Sequence, residues 1–249
     1  MDDRALLEAA ADNLAGWHRC SIEALGFPTA TGPQWWTSPT PGPWIYFTAI
    51  LRRSPRGRPE IDAALDALRL HLDDPAGSYE AVCDSFGVLD LEPLGLTRRM
   101  SGLWYARPAG PAPREADPDD LVITEVRDAD DLEAFEVATC AAFGAPPPLT
   151  PFEIHARAVL DDPAMHVLIG RVGTTIVSGA MAYEGAGVLG IYGVGTVPGH
   201  RGQGHASALT RACLAIEPMR PAILQPSPEA TALYRRLGFT EVGRFLHWG

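Results

Sequence analysis

The sequence predicts an α/β protein built on a mixed sheet, and three observations carry that expectation. Beyond residue 120, period-2 and period-3.6 apolar patterns alternate in the order β-α-α-β-β-β-α-β-α-β. A stretch dense in proline, Arg107-Pro-Ala-Gly-Pro-Ala-Pro-Arg-Glu-Ala-Asp-Pro118, separates that run from a less regular first half. Within the regular run, an apolar strand meets a helix through a glycine-rich turn, Gly193 to Ala206.

The elements follow in order. Residues 3–25 read as a helix. Trp35-Trp36 and Pro43–Leu51 read as aromatic strands broken by Pro-Thr-Pro-Gly-Pro. Ile61, Leu65, Leu68 and Leu72 form a helical stripe over Glu60–Leu72. Ser78–Phe86 is expected as a further helix and Gly102–Ala106 as a strand. After the Pro-rich segment come a strand at Leu121–Arg127 and a helix at Asp128–Phe143. Thr150-Pro-Phe-Glu153 has the form of a capping box with Pro at the first helical position, predicting a helix to about Leu160. Met165–Val172 and Thr174–Tyr183 read as a hairpin turning at Val172-Gly173, and Leu189–Val197 as the next strand. His205–Ile216 (helix), Ala222–Gln225 (strand), Pro228–Leu237 (helix) and Phe239–Trp248 (strand) complete the chain. The expected division is 1–108, a linker at 109–119, and a domain at 120–249.

Composition narrows the function. The chain has 249 residues, a formal net charge of −11 and 20 basic residues, every one of them Arg. That balance argues against a nucleic-acid partner, which requires clustered cations, and suits a cationic acceptor. No apolar run approaches the roughly 20 residues of a membrane span, so no membrane partner is expected. The acidic, helical-looking start lacks the features of a secretory signal, making the cytoplasm the expected location. Cys20, Cys83, Cys140 and Cys213 are scattered and read as reduced thiols. No His/Cys spacing implies a metal.

The chemistry concentrates in two segments. In Gly193-Val-Gly-Thr-Val-Pro-Gly-His-Arg-Gly-Gln-Gly-His-Ala206, glycines let backbone amides approach an anion, the following helix adds its positive end, and Arg201 can add charge. It is neither a dinucleotide fingerprint nor a P-loop, since the chain has no Lys. A plain strand–turn–helix joint is the alternative reading. The second segment is Leu224-Gln-Pro-Ser-Pro-Glu-Ala-Thr-Ala-Leu-Tyr-Arg-Arg-Leu-Gly-Phe239. There Ser227 is a natural N-cap, Gly238 a stop, and Ala230, Leu233, Tyr234 and Leu237 share a face. By spacing alone Tyr234 reads as a core aromatic.

Together the two segments resemble the GNAT acetyltransferase superfamily, whose acyl-CoA loop has the form Arg/Gln-x-x-Gly-x-Gly/Ala behind a strand ending in Val/Thr-x-Pro. Its downstream helix has the form Ala-x-x-x-Tyr-x-x-x-Gly-Phe. Thr196-Val-Pro198, Arg201-Gly-Gln-Gly-His-Ala206 and Ala230 to Phe239 carry the likeness, which covers roughly 120–249. Residues 1–108 resemble at most a degenerate GNAT-like half. Asp84-Ser-Phe-Gly-Val echoes the family's closing helix–Gly–strand, but Arg56-Gly-Arg-Pro places proline where the loop needs glycine.

The resemblance implies an N-acetyltransferase that passes an acetyl group from acetyl-CoA to an amine of a small molecule or a protein N-terminus, by direct attack. It implies that Arg201, Gly202, Gln203, Gly204, His205 and Ala206 hold the pyrophosphate. Strand amides at Val194, Gly195 and Thr196 would meet pantetheine and the thioester. Ser227 would position CoA, and Tyr234 would protonate the leaving thiolate. Glu184 is the first candidate for general base, although a carboxylate so placed is more often a solvated hairpin residue. Tyr192, His155 and a water chain stand behind it. Trp35, Trp36, Trp44, Tyr46, Trp104 and Tyr105 read as core or interface anchors, or as the lining of an apolar acceptor pocket. A non-catalytic acyl-CoA sensor is the competing function. The oligomeric state, a homodimer included, stays open.

Overall fold

The computed structural model describes residues 2–40, 42–72 and 81–249. In chain order the elements are α1 (Asp3–Ala24), β1 (Ala30–Thr31), β2 (Trp35–Thr37), β3 (Ala49–Leu51), α2 (Arg58–Leu72), β4 (Val82–Asp84) and β5 (Arg98–Arg107). They continue as β6 (Leu121–Glu125), α3 (Ala129–Phe143), β7 (Met165–Val172), β8 (Thr175–Gly185), β9 (Val188–Thr196), α4 (His205–Ile216), β10 (Ala222–Leu224), α5 (Thr231–Arg236) and β11 (Thr240–Trp248). Two compact units result. The first is Met1–Tyr105 with Glu241–Gly249, and the second is Ala106–Thr240.

In the first unit the strands lie in the order β1-β2-β3-β4-β11-β5. Strands β3 and β4 are parallel, whereas β11 runs antiparallel to β4 with Leu246 opposite Asp84. Asp2 caps α1 by accepting from the Ala5 amide at 2.8 Å. The apolar face of α2 packs through Ala64 and Leu68 into a core of Trp35, Leu51, Val82, Leu91 and Trp248. Trp35, Trp36, Tyr46, Trp104 and Tyr105 are all buried, and only Trp44 is exposed. These aromatics are therefore core residues of this unit.

The helix expected at Ser78–Phe86 is corrected to a strand over Val82–Asp84; Ser78 to Glu80 lie outside the described residues. A short apolar run does not reveal its period, and here β3 and β11 offer hydrogen-bonding edges on both sides. The Asp84 carboxylate then accepts from the amides of Phe86, Gly87, Val88 and Leu89, fixing the turn that follows.

The second unit has the strand order β10-β9-β8-β7-β6, antiparallel except for β10 against β9. Helices α3 and α4 both pack on β8 and β9. Beyond Arg107, where β5 ends, the Pro-rich segment forms neither helix nor strand, yet it is tied down along the second unit. The Gly110 amide donates to Pro218 O at 2.7 Å. Glu115 accepts from Ser207 Oγ at 2.8 Å and from Arg211 at 2.6 Å, and Asp117 also accepts from Arg211.

The helix expected from Thr150 does not form. Glu153 does reach back to the amides of Leu149 and Thr150, half of the capping box, but the chain turns instead, with Phe152 at φ 63°. The amides of Phe152, Ile154 and His155 donate to the buried Glu136 carboxylate at 2.8, 2.8 and 2.6 Å. Removing a carboxylate from water is costly unless several donors meet it. That demand outweighs a helix start, and only a 3-10 turn at Arg157–Asp161 follows.

Candidate functional site

The site is built outward from β9. Gly179 of β8 faces Gly195, and Met181 faces Tyr192, so two steps on β8 match three on β9. The extra residue makes a β-bulge, and Gly193 takes a left-handed φ of 60° there. Strand β10 pairs with β9 only at Leu189 and Gly190. From Ile191 to Thr196 that edge of β9 has no strand partner among the described residues. That edge runs past Val194 and Thr196, whereas the register with β8 turns the Gly195 amide toward Gly179. A side chain on Gly195 would come within 2.8 Å of Ala142 Cβ, so glycine is what allows α3 to lie close here.

Beyond Thr196 a 3-10 turn, Pro198–His200, leads into the glycine turn. Gly202 and Gly204 have φ of 76° and 88°, a region costly for residues with a Cβ. Gly204 is the N-cap of α4 and supplies no side-chain acceptor. The first bond of the helix is from Ala208 N to Gly204 O. The amides of Gly202, Gln203, Gly204, His205, Ala206 and Ser207 consequently have no acceptor among the described residues. Gly202, Gln203 and Gly204 are exposed, and the first-turn amides of α4 are the free donors that every helix N-terminus presents, an end that favours anions.

Arg201 does not point its whole charge into that turn. Its Nε donates to Thr196 O at 3.2 Å and its Nη2 to Ala142 O at 2.7 Å. The guanidinium therefore fastens the loop to β9 and to the end of α3.

Tyr234 lies on α5, buried, with its ring edge-on to Phe239 at 5.9 Å. Burial, and then the neighbouring Cys213 thiol, raise its pKa, so the phenol keeps its proton at any physiological pH. Ser227 takes the expected N-cap position, with Pro228 next, but it caps a 3-10 turn at Pro228–Ala230 rather than a longer helix and makes no side-chain capping bond. Its carbonyl instead accepts from Ala230 N at 3.1 Å.

Glu184 needs a correction of place. Antiparallel pairing sets it opposite Leu189, at the start of β9, roughly 16 Å along the strand from Val194 at about 3.3 Å per residue. Its carboxylate is taken up by His166 Nε2 at 3.3 Å and Arg220 Nη1 at 3.4 Å. The structure does not bring it together with the bulge and loop. The sequence itself placed Glu184 in the short connection ahead of Leu189, while the glycine turn follows Thr196 at the far end of that strand.

Tyr192 adjoins the bulge, and burial followed by Tyr183 raises its phenol pKa well above the ordinary value. His155 is buried beside Phe135, at 5.6 Å between ring centres, and burial lowers its pKa to about 3. Phe135 in turn covers Gly179, the residue opposite Gly195. Both groups thus belong to the α3 side of the bulged region, and both are neutral at pH 7. Sequence reasoning missed Glu136, whose signal was a single carboxylate on the apolar stripe formed by Leu132, Phe135, Thr139 and Cys140.

The bulged strand with one open edge, the glycine turn that opens α4 and the buried Tyr234 on α5 are the features to set beside known proteins. Residues 132–239 match the Acetyltransferase (GNAT) family, and this segment belongs to it. The fold is similar across nearly the whole chain to a GCN5-related N-acetyltransferase from Kribbella flavida, with a TM-score of 0.64, 20% identity and 94% of each chain covered. It is also similar to a GCN5-related N-acetyltransferase from Sphaerobacter thermophilus, with a TM-score of 0.60, 18% identity, and 97% of this chain and 92% of that one covered. A GNAT-family protein from Novosphingobium aromaticivorans gives a TM-score of 0.57 at 17% identity, with 96% of each chain covered. No curated protein matches the chain.

Proposed function

We propose that this chain is an acetyl-CoA-dependent N-acetyltransferase acting on an amine of a small molecule or a protein N-terminus. The observation that carries the reading is the unbroken run of unbonded amides from Gly202 to Ser207 at the open end of β9. Acetyl-CoA supplies a thioester at the end of a diphosphate-linked arm. The amides of the glycine turn cradle the diphosphate, with Gly202 and Gly204 keeping the backbone accessible. Amides on the free edge of β9, at Val194 and Thr196, align the arm and polarise the carbonyl in the manner of an oxyanion hole. Ser227 helps to place the carrier. Tyr234, kept protonated by burial, gives its proton to the sulfur as the thiolate leaves.

The acceptor must react as a free amine. Glu184 is engaged by His166 Nε2 and the Arg220 guanidinium at the other end of β9, and the buried His155 is a weak base. The amine's proton therefore passes to water. The net charge of −11 draws a cationic acceptor toward the chain. A soluble, cytoplasmic enzyme fits the composition, and no described helix is long and apolar enough to cross a membrane.

Calorimetric titration with acetyl-CoA, followed by thiol release over a panel of amines, tests the reading. Micromolar binding with turnover of at least one amine supports it. Binding without turnover on any amine would leave a ligand-sensing module, and no binding would remove both.

A further inference from the structure

The glycine turn ahead of α4 is fastened on both flanks, and the two fastenings differ in origin. On the β9 side Arg201, which belongs to the turn itself, donates to Thr196 O and Ala142 O. Helix α4 supplies nothing equivalent at its start. Its N-cap, Gly204, has no side chain to close the first turn, and Gly202 and Gly204 both take the left-handed φ that leaves the backbone most freedom. The fastening on that side comes from residues 111–118, far away in sequence.

This Pro-rich segment runs as a strap along α4, in the direction opposite to the helix. At the C-terminal end the Gly110 amide donates to Pro218 O at 2.7 Å. Midway, Glu115 accepts from Arg211 at 2.6 Å, and Asp117 accepts from the same guanidinium. One turn nearer the start of the helix, Glu115 accepts from Ser207 Oγ at 2.8 Å, and that hydroxyl accepts from Arg211 at 2.8 Å. At the N-terminus, Pro118 Cγ lies 3.6 Å from where a side chain on Gly204 would begin. The 12 residues of α4 rise about 18 Å. Eight residues reach about 26 Å at full stretch, so the strap spans the helix only in an extended form, which Pro111, Pro113 and Pro118 favour. The Arg211 side chain is 10% exposed beneath it. It meets two carboxylates and a hydroxyl, a network rather than the isolated surface pair whose contribution is small.

We propose that Glu115 is a positioning residue: through Ser207 and Arg211 it holds the first turn of α4, and with it the glycine turn, in the arrangement that receives the acyl carrier. Glu115 lies outside both segments that carry the family likeness, and the inference rests on the proposed function for the identity of the ligand. Coupling of this kind is reciprocal. A strap that favours binding is held down by the bound ligand to the same extent.

Calorimetry with acetyl-CoA on the full chain tests it. Glu115→Ala is expected to raise Kd about tenfold, an ordinary size for coupling between separate sites, with the kinetic loss falling on KM for acetyl-CoA rather than on kcat. Glu115→Gln, whose amide oxygen still accepts from Ser207 and Arg211, should recover part of the affinity. A strap that only packs would lower the urea midpoint of Glu115→Ala and leave Kd where it is. In case that variant does not fold, amide exchange in the wild-type chain gives a second reading. The Gly110 amide, bonded to Pro218 O beyond the far end of α4, should exchange about tenfold more slowly on saturation with acetyl-CoA. An unchanged Kd in folded Glu115→Ala, or Gly110 exchange unmoved by the ligand, would overturn the inference and leave the acetyl-CoA reading standing. No binding by the wild-type chain would remove both.

Discussion

Tyr234 concentrates the question of chemistry against packing in one side chain. Its spacing places it on an apolar face, and the structure buries it against Phe239, so both roles use the same position. They separate on substitution. Tyr234→Phe keeps the ring and removes the proton, and is expected to lower kcat by about 100-fold, within the usual range for losing a general acid, while KM for acetyl-CoA stays within about twofold. Steady-state kinetics decide; a large change in KM with kcat preserved would make Tyr234 a packing residue. Gly204 isolates the cradle in the same way. At φ 88°, valine there forces roughly 1–3 kcal/mol of backbone strain and refolds the turn. Gly204→Val is expected to abolish detectable acetyl-CoA binding by calorimetry with an unchanged circular dichroism spectrum. Glu184→Gln, by contrast, should leave kcat/KM within about twofold, because its partners are His166 and Arg220 rather than a substrate. A loss of more than tenfold would return Glu184 to the catalytic machinery.

At the scale of elements, the strongly periodic segments were legible. Strand β7 occupies Met165–Val172 and helix α4 occupies His205–Ile216, the limits that apolar spacing and the glycine turn predict. The segments that depart from expectation do so for reasons remote in sequence. Thr150 to Ile154 carries good helix-start chemistry, but the carboxylate that claims its amides sits on α3, at Glu136. Val82–Asp84 is a strand because β3 and β11 flank it. The bulge at Gly193 depends on register with β8 and so had no signature beyond a glycine. The Glu136 nest has a measurable consequence. Glu136→Ala strands three amides, and is expected to destabilise the chain by about 3 kcal/mol, read as a lower urea midpoint. Glu136→Gln, which keeps one acceptor, should fall between.

At the scale of the whole molecule, burial lowers histidine pKa values in both units, most strongly at two rings. His18 in the first unit and His155 in the second both have pKa values lowered to about 3. Unfolding releases each ring to its ordinary value near 6.5, so the unfolded chain binds more protons throughout the interval between. The sign is unambiguous: this stability is fully present above pH 6.5 and is lost as pH falls toward 3, at up to about 1.4 kcal/mol per pH unit for each histidine. Urea midpoints measured from pH 7.5 to pH 4.5 should fall accordingly. His18→Phe should flatten the slope of the transition reporting the first unit, and an unaltered slope there would contradict the assignment.

The sequence alone determined the mixed α/β class, the order of elements beyond residue 120, and the two segments by which the chain resembles the GNAT superfamily. These depend on periodicity, on glycines and on local capping chemistry, all of which act within a few residues. Only the tertiary structure decided that Glu184 is engaged by His166 and Arg220, that Arg201 is spent on two carbonyls, and that the last strand joins the first unit. Each of these depends on register or on a partner far along the chain, and pairing at a distance leaves no trace in local spacing.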